Sequence, residues 1–282
     1  MTDELLRPFR DKIRGRPPVP KAPEASPSAL EDEAPGDAVL IREVRVGFFP
    51  EVSRLHPGFV PGIPRVRLTL DVGARLRRNP ATLHAEGRAA LLDLCPRLRD
   101  HDCGAGDEIH HLLAADEGAG AGARATAPDS DEQDGLAVAH LIEHVAIEMI
   151  VGVSGVLRCS GVTCAHRDRL DRFDIFLESL DPLLGRAAAV LAAAVVRDLC
   201  LRRTGRLALH RRCRDLLALL SSSRAASMVA EDAGARLGCS PDEGLQVLEE
   251  LVRLGYFRAA PSAYLFSSAT GVLFRRAAVD VQ

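Results

Sequence analysis

The sequence predicts an α+β protein: a small sheet packed with helices, one of them carrying a metal-ligand motif, followed by a winged helix-turn-helix. Three observations predict it. Two early stretches, Leu40 to Val46 and Pro64 to Val72, alternate apolar and polar residues with period 2, the signature of half-buried strands. Leu136 to Ile150 reads L-A-V-A-H-L-I-E-H-V-A-I-E-M-I, with helical periodicity and two histidines and two glutamates inside an apolar run. The last third changes to three short amphipathic helices and a hairpin. The implied organisation is a disordered tail over residues 1–38, a sheet-and-helix domain over 39–204 and a winged-helix-like domain over 205–282.

In chain order, residues 1–38 are rich in Pro, Ala, Glu and Ser and hold too little apolar surface to offset ordering entropy. A short helix at Glu4 to Ile13 and a polyproline segment at Pro17 to Pro20 are the only structure expected there. The two strands should pair, joined by a Pro- and Gly-rich loop bearing Arg54 and His56. Asn79 followed by Pro80 predicts the start of a helix over Ala81 to Leu94. Cys103 to Asp134, with His110 and His111, reads as an exposed acidic insertion. After the His/Glu helix, Val151 to Gly155 reads as a breaker. Arg172 to Ser179 should be a strand and Pro182 to Arg202 a long Ala/Val/Leu-faced helix.

Within Leu136 to Ile150, His140 and His144 lie one turn apart at ~100° per residue, so both imidazoles can reach one cation. Glu143 borders that face, and Glu148 sits a further turn along as a candidate third ligand. Val138, Leu141, Ile142, Val145 and Met149 form the opposite, apolar stripe. His-x-x-Glu-His inverts the zinc-protease motif, with two neutral imidazoles as ligands and the Glu between them as general base. The alternative is a set of ordinary helix-surface pairs, His140 with Glu143 and His144 with Glu148.

His140-Leu141-Ile142-Glu143-His144-Val145-Ala146-Ile147-Glu148 resembles the His-Val-x-Glu-His-x-Ala-x-Glu stretch of the N-terminal domain of cyanophycin synthetases. Leu94 to Cys103 is similar to that domain's Leu-x-Pro-x-Leu-x-x-His-x-Cys segment, and Arg172 to Glu178 to its strand ending in Glu. The resemblance runs from about Leu40 to Leu199. It implies a metallopeptidase-like site that cuts a polyaspartate carrying arginine on isopeptide bonds, with His140 and His144 as ligands, Glu143 as base and Glu148 as third ligand. Counterparts of the synthetase's ATP-grasp and ligase domains are missing from the sequence, so cutting rather than synthesis is implied. Two segments depart from the family's pattern: the acidic loop before the histidine helix, and Cys159 to His166 after it.

Within that second segment, Cys-x4-Cys-x-His fits no common zinc-finger spacing, and a fourth ligand would have to come from His101 or Cys103. We read Cys159 and Cys164 as loop and strand residues, and His166 and Arg167 as candidates for polarising or holding a substrate. With 47% hydrophobic and 27% charged residues the composition is that of a soluble globular protein, and a net charge of −3 argues against bulk nucleic-acid binding. Seven scattered cysteines and no signal-peptide pattern point to a reducing cytoplasm. No uninterrupted apolar run is expected to reach membrane-spanning length.

In the last third, helices are predicted over His210 to Leu220, Ser227 to Leu237 and from the capping box Ser240-Pro241-Asp242-Glu243 through Leu254. Gly255 to Arg258 and Tyr264 to Phe266 should form the hairpin. The third helix exposes Asp242, Glu243, Gln246, Glu249, Glu250 and Arg253, a face that disfavours DNA and favours a protein partner or homo-oligomer. Arginines between Arg202 and Arg214 leave a DNA-backbone contact by the first helix open.

The functional expectation is a zinc-dependent hydrolase of peptide or isopeptide bonds using water at the His-x-x-Glu-His site. Zn2+ is the expected cofactor, another divalent ion the alternative, and no organic cofactor is expected. The competing expectation is a non-catalytic module that senses a peptide or metal and signals through the winged helix to a protein or DNA. A third is a structural protein whose His/Glu helix is a satisfied polar core.

Overall fold

A computed structural model describes residues 39–54, 58–74, 76, 83–99, 113, 131–223, 227–261 and 272–278, all within one compact unit. The fold is α+β, with two small antiparallel sheets. Strands β1 (Val39–Gly47), β2 (Arg65–Val72), β3 (Gly161–Ala165) and β4 (Arg172–Glu178) form the first, in the order β1-β2-β4-β3. The two strands read from period 2 pair as expected, Val39 opposite Val72 and Gly47 opposite Arg65.

Alternation along β2 and β4 gives this sheet two unlike faces. Val66, Leu68, Leu70 and Val72 with Phe173, Ile175 and Leu177 are buried on one side. Arg65, Arg67, Thr69 and Asp71 with Arg172, Asp174, Phe176 and Glu178 occupy the other. There Asp71 accepts from Arg172 and Arg42, each at 2.7 Å, and Asp174 accepts from Arg67 at 2.7 Å and Thr69 at 2.6 Å. Burial alone would raise both aspartates, but these partners outweigh it and hold them below the ordinary range. A bulge between Ile41 and Glu43 shifts the register at Arg42.

The apolar face rests on helices. Helix α1 (Ala85–Leu94) starts four residues later than predicted, with His84 at its N-cap and no side-chain cap; Asn79 and Pro80 lie outside the described residues. The His/Glu helix, α2, is longer than predicted, Asp131–Ser154. Its stretch from 151 to 154 stays helical, and the break falls at Gly155, whose φ of 70° is left-handed and suits a residue without Cβ. Within α2, Gly135–Ser154 is long and apolar enough by length and composition to cross a membrane, though His140, Glu143, His144 and Glu148 interrupt it, and most of it is buried within the fold. The predicted stripe Val138, Leu141, Ile142, Val145 and Met149 is buried throughout.

Helix α3 (Pro182–Cys200) begins at Asp181, whose carboxylate accepts from Leu183 N and Leu184 N at 3.1 Å. Its alanines let it lie close to α2 and the sheet. The C-terminal part comprises α4 (Leu207–Ser223), β5 (Ser227–Met228), α5 (Ala230–Leu237), α6 (Pro241–Arg253), β6 (Phe257–Pro261) and β7 (Val272–Arg276), with sheet order β5-β7-β6. Two corrections arise here. Ser227 and Met228 are a strand, because they pair with Arg275 and Phe274, and the helix starts only at Ala230. The partner of β6 is Val272–Arg276, while Tyr264 to Phe266 lie outside the described residues. The capping box of α6 forms as predicted, Ser240 and Glu243 bonding reciprocally.

The core does not divide at residues 204 and 205. One continuous apolar cluster runs from Val39 to Phe274, and α4 packs on both α2 and α3. A buried ionic network adds to this joint. Asp198 on α3 and His210 on α4, both fully buried, meet at 2.8 Å, and Arg197 and Arg206 lie 3.3 and 3.8 Å from Asp198. Arg206 also reaches Glu250 on α6 at 3.5 Å, and Arg253 pairs with the same carboxylate. Glu250 is therefore buried, contrary to its predicted exposure, because two guanidiniums satisfy it.

Burial would raise the Asp198 carboxyl, but the His210 bond and the Arg197 and Arg206 charges hold it below its ordinary 3.8. Its contribution to stability is thus present above about pH 3.8 and lost as pH falls through the lower folded value. Asp198→Ala should destabilise the protein by about 3–5 kcal/mol in urea unfolding at pH 7, since it leaves buried cations unpaired. The gap from wild type should narrow only below about pH 3.8; a gap independent of pH would assign the loss to packing alone.

Candidate metal centre

Helix α2 consumes its own backbone groups, so at its centre only side chains are available to bind anything. His140 and His144 sit one turn apart with their Nε2 atoms 2.9 Å from each other and ring centroids 4.6 Å apart. Glu143 lies beside them, 4% exposed, and its Oε2 accepts from Thr163 Oγ1 on β3 at 2.6 Å. One ligand atom from each of His140, Glu143 and His144 falls within 4.8 Å of the others, and among the described residues they form the one such group.

The donors fit a divalent cation. Tetrahedral zinc with bonds of about 2.0–2.1 Å to two imidazoles holds their nitrogens roughly 3.3 Å apart, a few tenths beyond the 2.9 Å found here. Both rings already bring their Nε2 atoms together, and a buried carboxylate with one hydroxyl partner keeps acceptor capacity to spare. The group could therefore hold a metal ion.

Gly161 explains how β3 comes so close. A Cβ at that position would stand 2.8 Å from Glu143 Oε1 and 2.9 Å from Ile147 Cδ1. Gly161 and Thr163, two apart and so on the same side of the strand, make room for the carboxylate and then bond it. Sequence reading passed over both; a Gly-x-Thr pair on one strand side was the available signal.

The other predicted site residues lie elsewhere. Glu148 turns to the 3₁₀ turn Pro96–Arg99, where Oε1 accepts from Arg97 N at 2.8 Å and Oε2 from Leu98 N at 3.1 Å. It caps that turn and is not part of the gathered group. His166 falls on the ionic face of the sheet, its Nε2 3.1 Å from Asp174 Oδ2, and Arg167 is exposed just beyond β3. Cys159, in the loop before β3, donates to Glu178 O at 3.1 Å, and its thiol is pushed up to about 12 by burial and then by Glu178 and Glu143. That thiol is a hydrogen-bond donor, not a nucleophile. Cys164 is on β3, so both cysteines are loop and strand residues as read. His56, His101, Cys103, His110 and His111 lie outside the described residues.

No family model matches the chain, and no curated protein matches it.

Burial pushes the Glu143 carboxyl up from 4.5 to about 7, against the lowering effect of Thr163. Without metal, the folded state then binds more protons than the unfolded one between those values, so stability should fall as pH rises from about 4.5 to about 7. Glu143→Gln should remove that slope and, in chelator above pH 7, be more stable than wild type by roughly 3 kcal/mol. A slope that persists in the variant would place its source elsewhere. Glu148→Gln, by contrast, should leave metal stoichiometry unchanged while lowering stability by about 1 kcal/mol, as loss of a cap does; loss of metal would make Glu148 a ligand.

Proposed function

We propose that this protein is a zinc-dependent hydrolase of peptide or isopeptide bonds. The observation that carries the reading is the desolvated Glu143 carboxylate set beside two facing imidazoles and fixed by Thr163. His140 and His144 would hold the ion, which when bound supplies Lewis acidity toward water and the substrate carbonyl.

Glu143 moves the proton. As a water oxygen bonds to the carbonyl carbon, the carboxylate takes a proton from that water; as the C–N bond breaks, the same proton passes to the departing nitrogen. The second proton of that water leaves the new acid group for the amine, so the products are a carboxylate and an ammonium ion, and Glu143 ends as it began. A carboxyl pushed up to about 7 is matched to both transfers at neutral pH. Thr163 occupies one carboxylate oxygen and leaves the other for this work. Substrate class comes from the resemblance to the cyanophycin synthetase N-terminal domain and from the inverted zinc-protease spacing.

The C-terminal segment, three helices with a β5-β7-β6 sheet, supports a winged helix-turn-helix reading. We assign it to docking a protein partner or a second copy. DNA is the weaker reading, since Arg211 pairs with Asp93, Arg212 with Glu243 at 2.7 Å and Arg214 with Asp215 at 2.7 Å and Leu94 O at 2.6 Å. The exposed part of α6, with Asp242, Gln246 and Glu249, offers phosphate no cation. A cytoplasmic setting accords with the six described cysteines all being free thiols.

Protein purified without an affinity tag should carry close to one zinc per chain, and His140→Ala with His144→Ala should carry none. Glu143→Gln should keep the zinc and lose at least ~10²-fold in turnover of peptide or isopeptide substrates. Wild-type protein without metal affinity, or full turnover in Glu143→Gln, would remove the hydrolase reading.

A further inference from the structure

The two edges of the first sheet are built differently. Edge strands present unpaired N–H and C=O groups and are normally defended by charges, prolines or bulges. Strand β1 is defended in this way: it carries Arg42, Glu43 and Arg45 and a bulge at Arg42. Strand β3, Gly-Val-Thr-Cys-Ala, has no charge, no proline and no bulge, and among the described residues no strand pairs with its far side.

The direction of its backbone groups follows from the ladder. Ser160 O accepts from Glu178 N, and His166 N donates to Arg172 O. In an antiparallel pair these groups alternate, so the even-numbered residues address β4 while Gly161, Thr163 and Ala165 turn their N–H and C=O away from it. Two of those three outward positions are the residues against Glu143, Thr163 through its hydroxyl and Gly161 through its missing Cβ. The undefended edge and the metal-ligating group therefore meet at the same two residues.

We infer that β3 binds the substrate as an added strand: an extended polypeptide main chain pairs with Gly161, Thr163 and Ala165, and its residues opposite Gly161 and Thr163 are delivered to Glu143. The inference rests on the hydrolase reading and narrows it. Three outward positions spaced by two span a peptide of about five residues. Main-chain pairing supplies affinity with little dependence on side-chain identity. The substrate class is thus a linear peptide in extended form, and short amides or side-chain isopeptides should be poor substrates.

The experiment uses the zinc-loaded full chain, an equimolar library of random decapeptides read by mass spectrometry, and a set of acetyl-dipeptide amides. Ala165→Pro removes an outward N–H without touching a β3–β4 bond, and Ala165 is exposed outside the metal group. Wild type should cleave decapeptides at least tenfold faster than dipeptide amides, and Ala165→Pro should lose at least tenfold in kcat/KM on decapeptides, mostly in KM, with zinc content unchanged. Because the variant can fail to fold, the best-cleaved decapeptide is also tested on wild type with backbone N-methyl groups two and four residues from the scissile bond, which should lower kcat/KM at least tenfold. Equal rates on decapeptides and dipeptide amides, or cleavage insensitive to N-methylation, would overturn the edge inference and leave the hydrolase standing. If nothing is hydrolysed, retention of decapeptides by zinc-loaded Glu143→Gln, lost on N-methylation, would uphold the edge without the hydrolase; no retention would end both.

Discussion

The constraint on which the structure turns is the placement of polar groups at the middle of a buried helix. Helix α2 gives its apolar side to the sheet and to α3, and burial of that side is what fixes its position. The same burial removes water from Glu143 and His144, and a desolvated carboxylate beside an imidazole pair must be satisfied from within. Thr163 and the absence of a side chain at Gly161 meet that need from β3. Position of the strand, position of the helix and readiness of the group to take a cation are thus one arrangement.

Stiffness at that point is supplied from the far end of the chain. Helix α4 lies against α2 and α3, and the Asp198–His210 contact with its arginines and Glu250 ties α3, α4 and α6 together. Arg214 bonds Leu94 O and Arg211 pairs with Asp93, holding α4 to the end of α1. The turn that Glu148 caps follows α1 directly, so the C-terminal helices reach the His/Glu helix through that turn as well as through the core. A segment bonded in this way contributes to the site's scaffold whatever else it docks.

Legibility in the sequence followed periodicity. Period 2 gave β1 and β2 and their pairing, period 3.6 gave α2 with its buried stripe, and the Ser240 capping box gave the start of α6. The His140, Glu143 and His144 group was readable because helix geometry alone decides which side chains at i, i+3 and i+4 meet. What escaped was set by tertiary partners. Glu250 has the spacing of an exposed residue and is buried because Arg206 and Arg253 come from two directions to meet it. Ser227 and Met228 are a strand only because Val272–Arg276 pairs with them. His166, read as a candidate for holding or polarising a substrate, lies beside Asp174 on the ionic face of the sheet; a strand's two faces exchange roles with a shift of one residue, and no local signal fixed which face β3 gave to α2.

Glu143 and Glu148 show how far environment separates two like residues five positions apart. Burial raises both carboxyls. At Glu148 two backbone N–H groups and the nearby Arg97 and Arg214 oppose the rise, and the carboxylate is committed to closing a turn. At Glu143 one hydroxyl opposes it, and the carboxyl stays near neutrality with capacity unspent. A residue whose acceptor sites are filled by backbone is structural, because giving up those bonds leaves buried N–H groups unpaired. A residue whose sites are only partly filled can accept a proton or a cation without that loss, and of these two glutamates it is Glu143 that keeps such capacity while Glu148 spends its own on the turn.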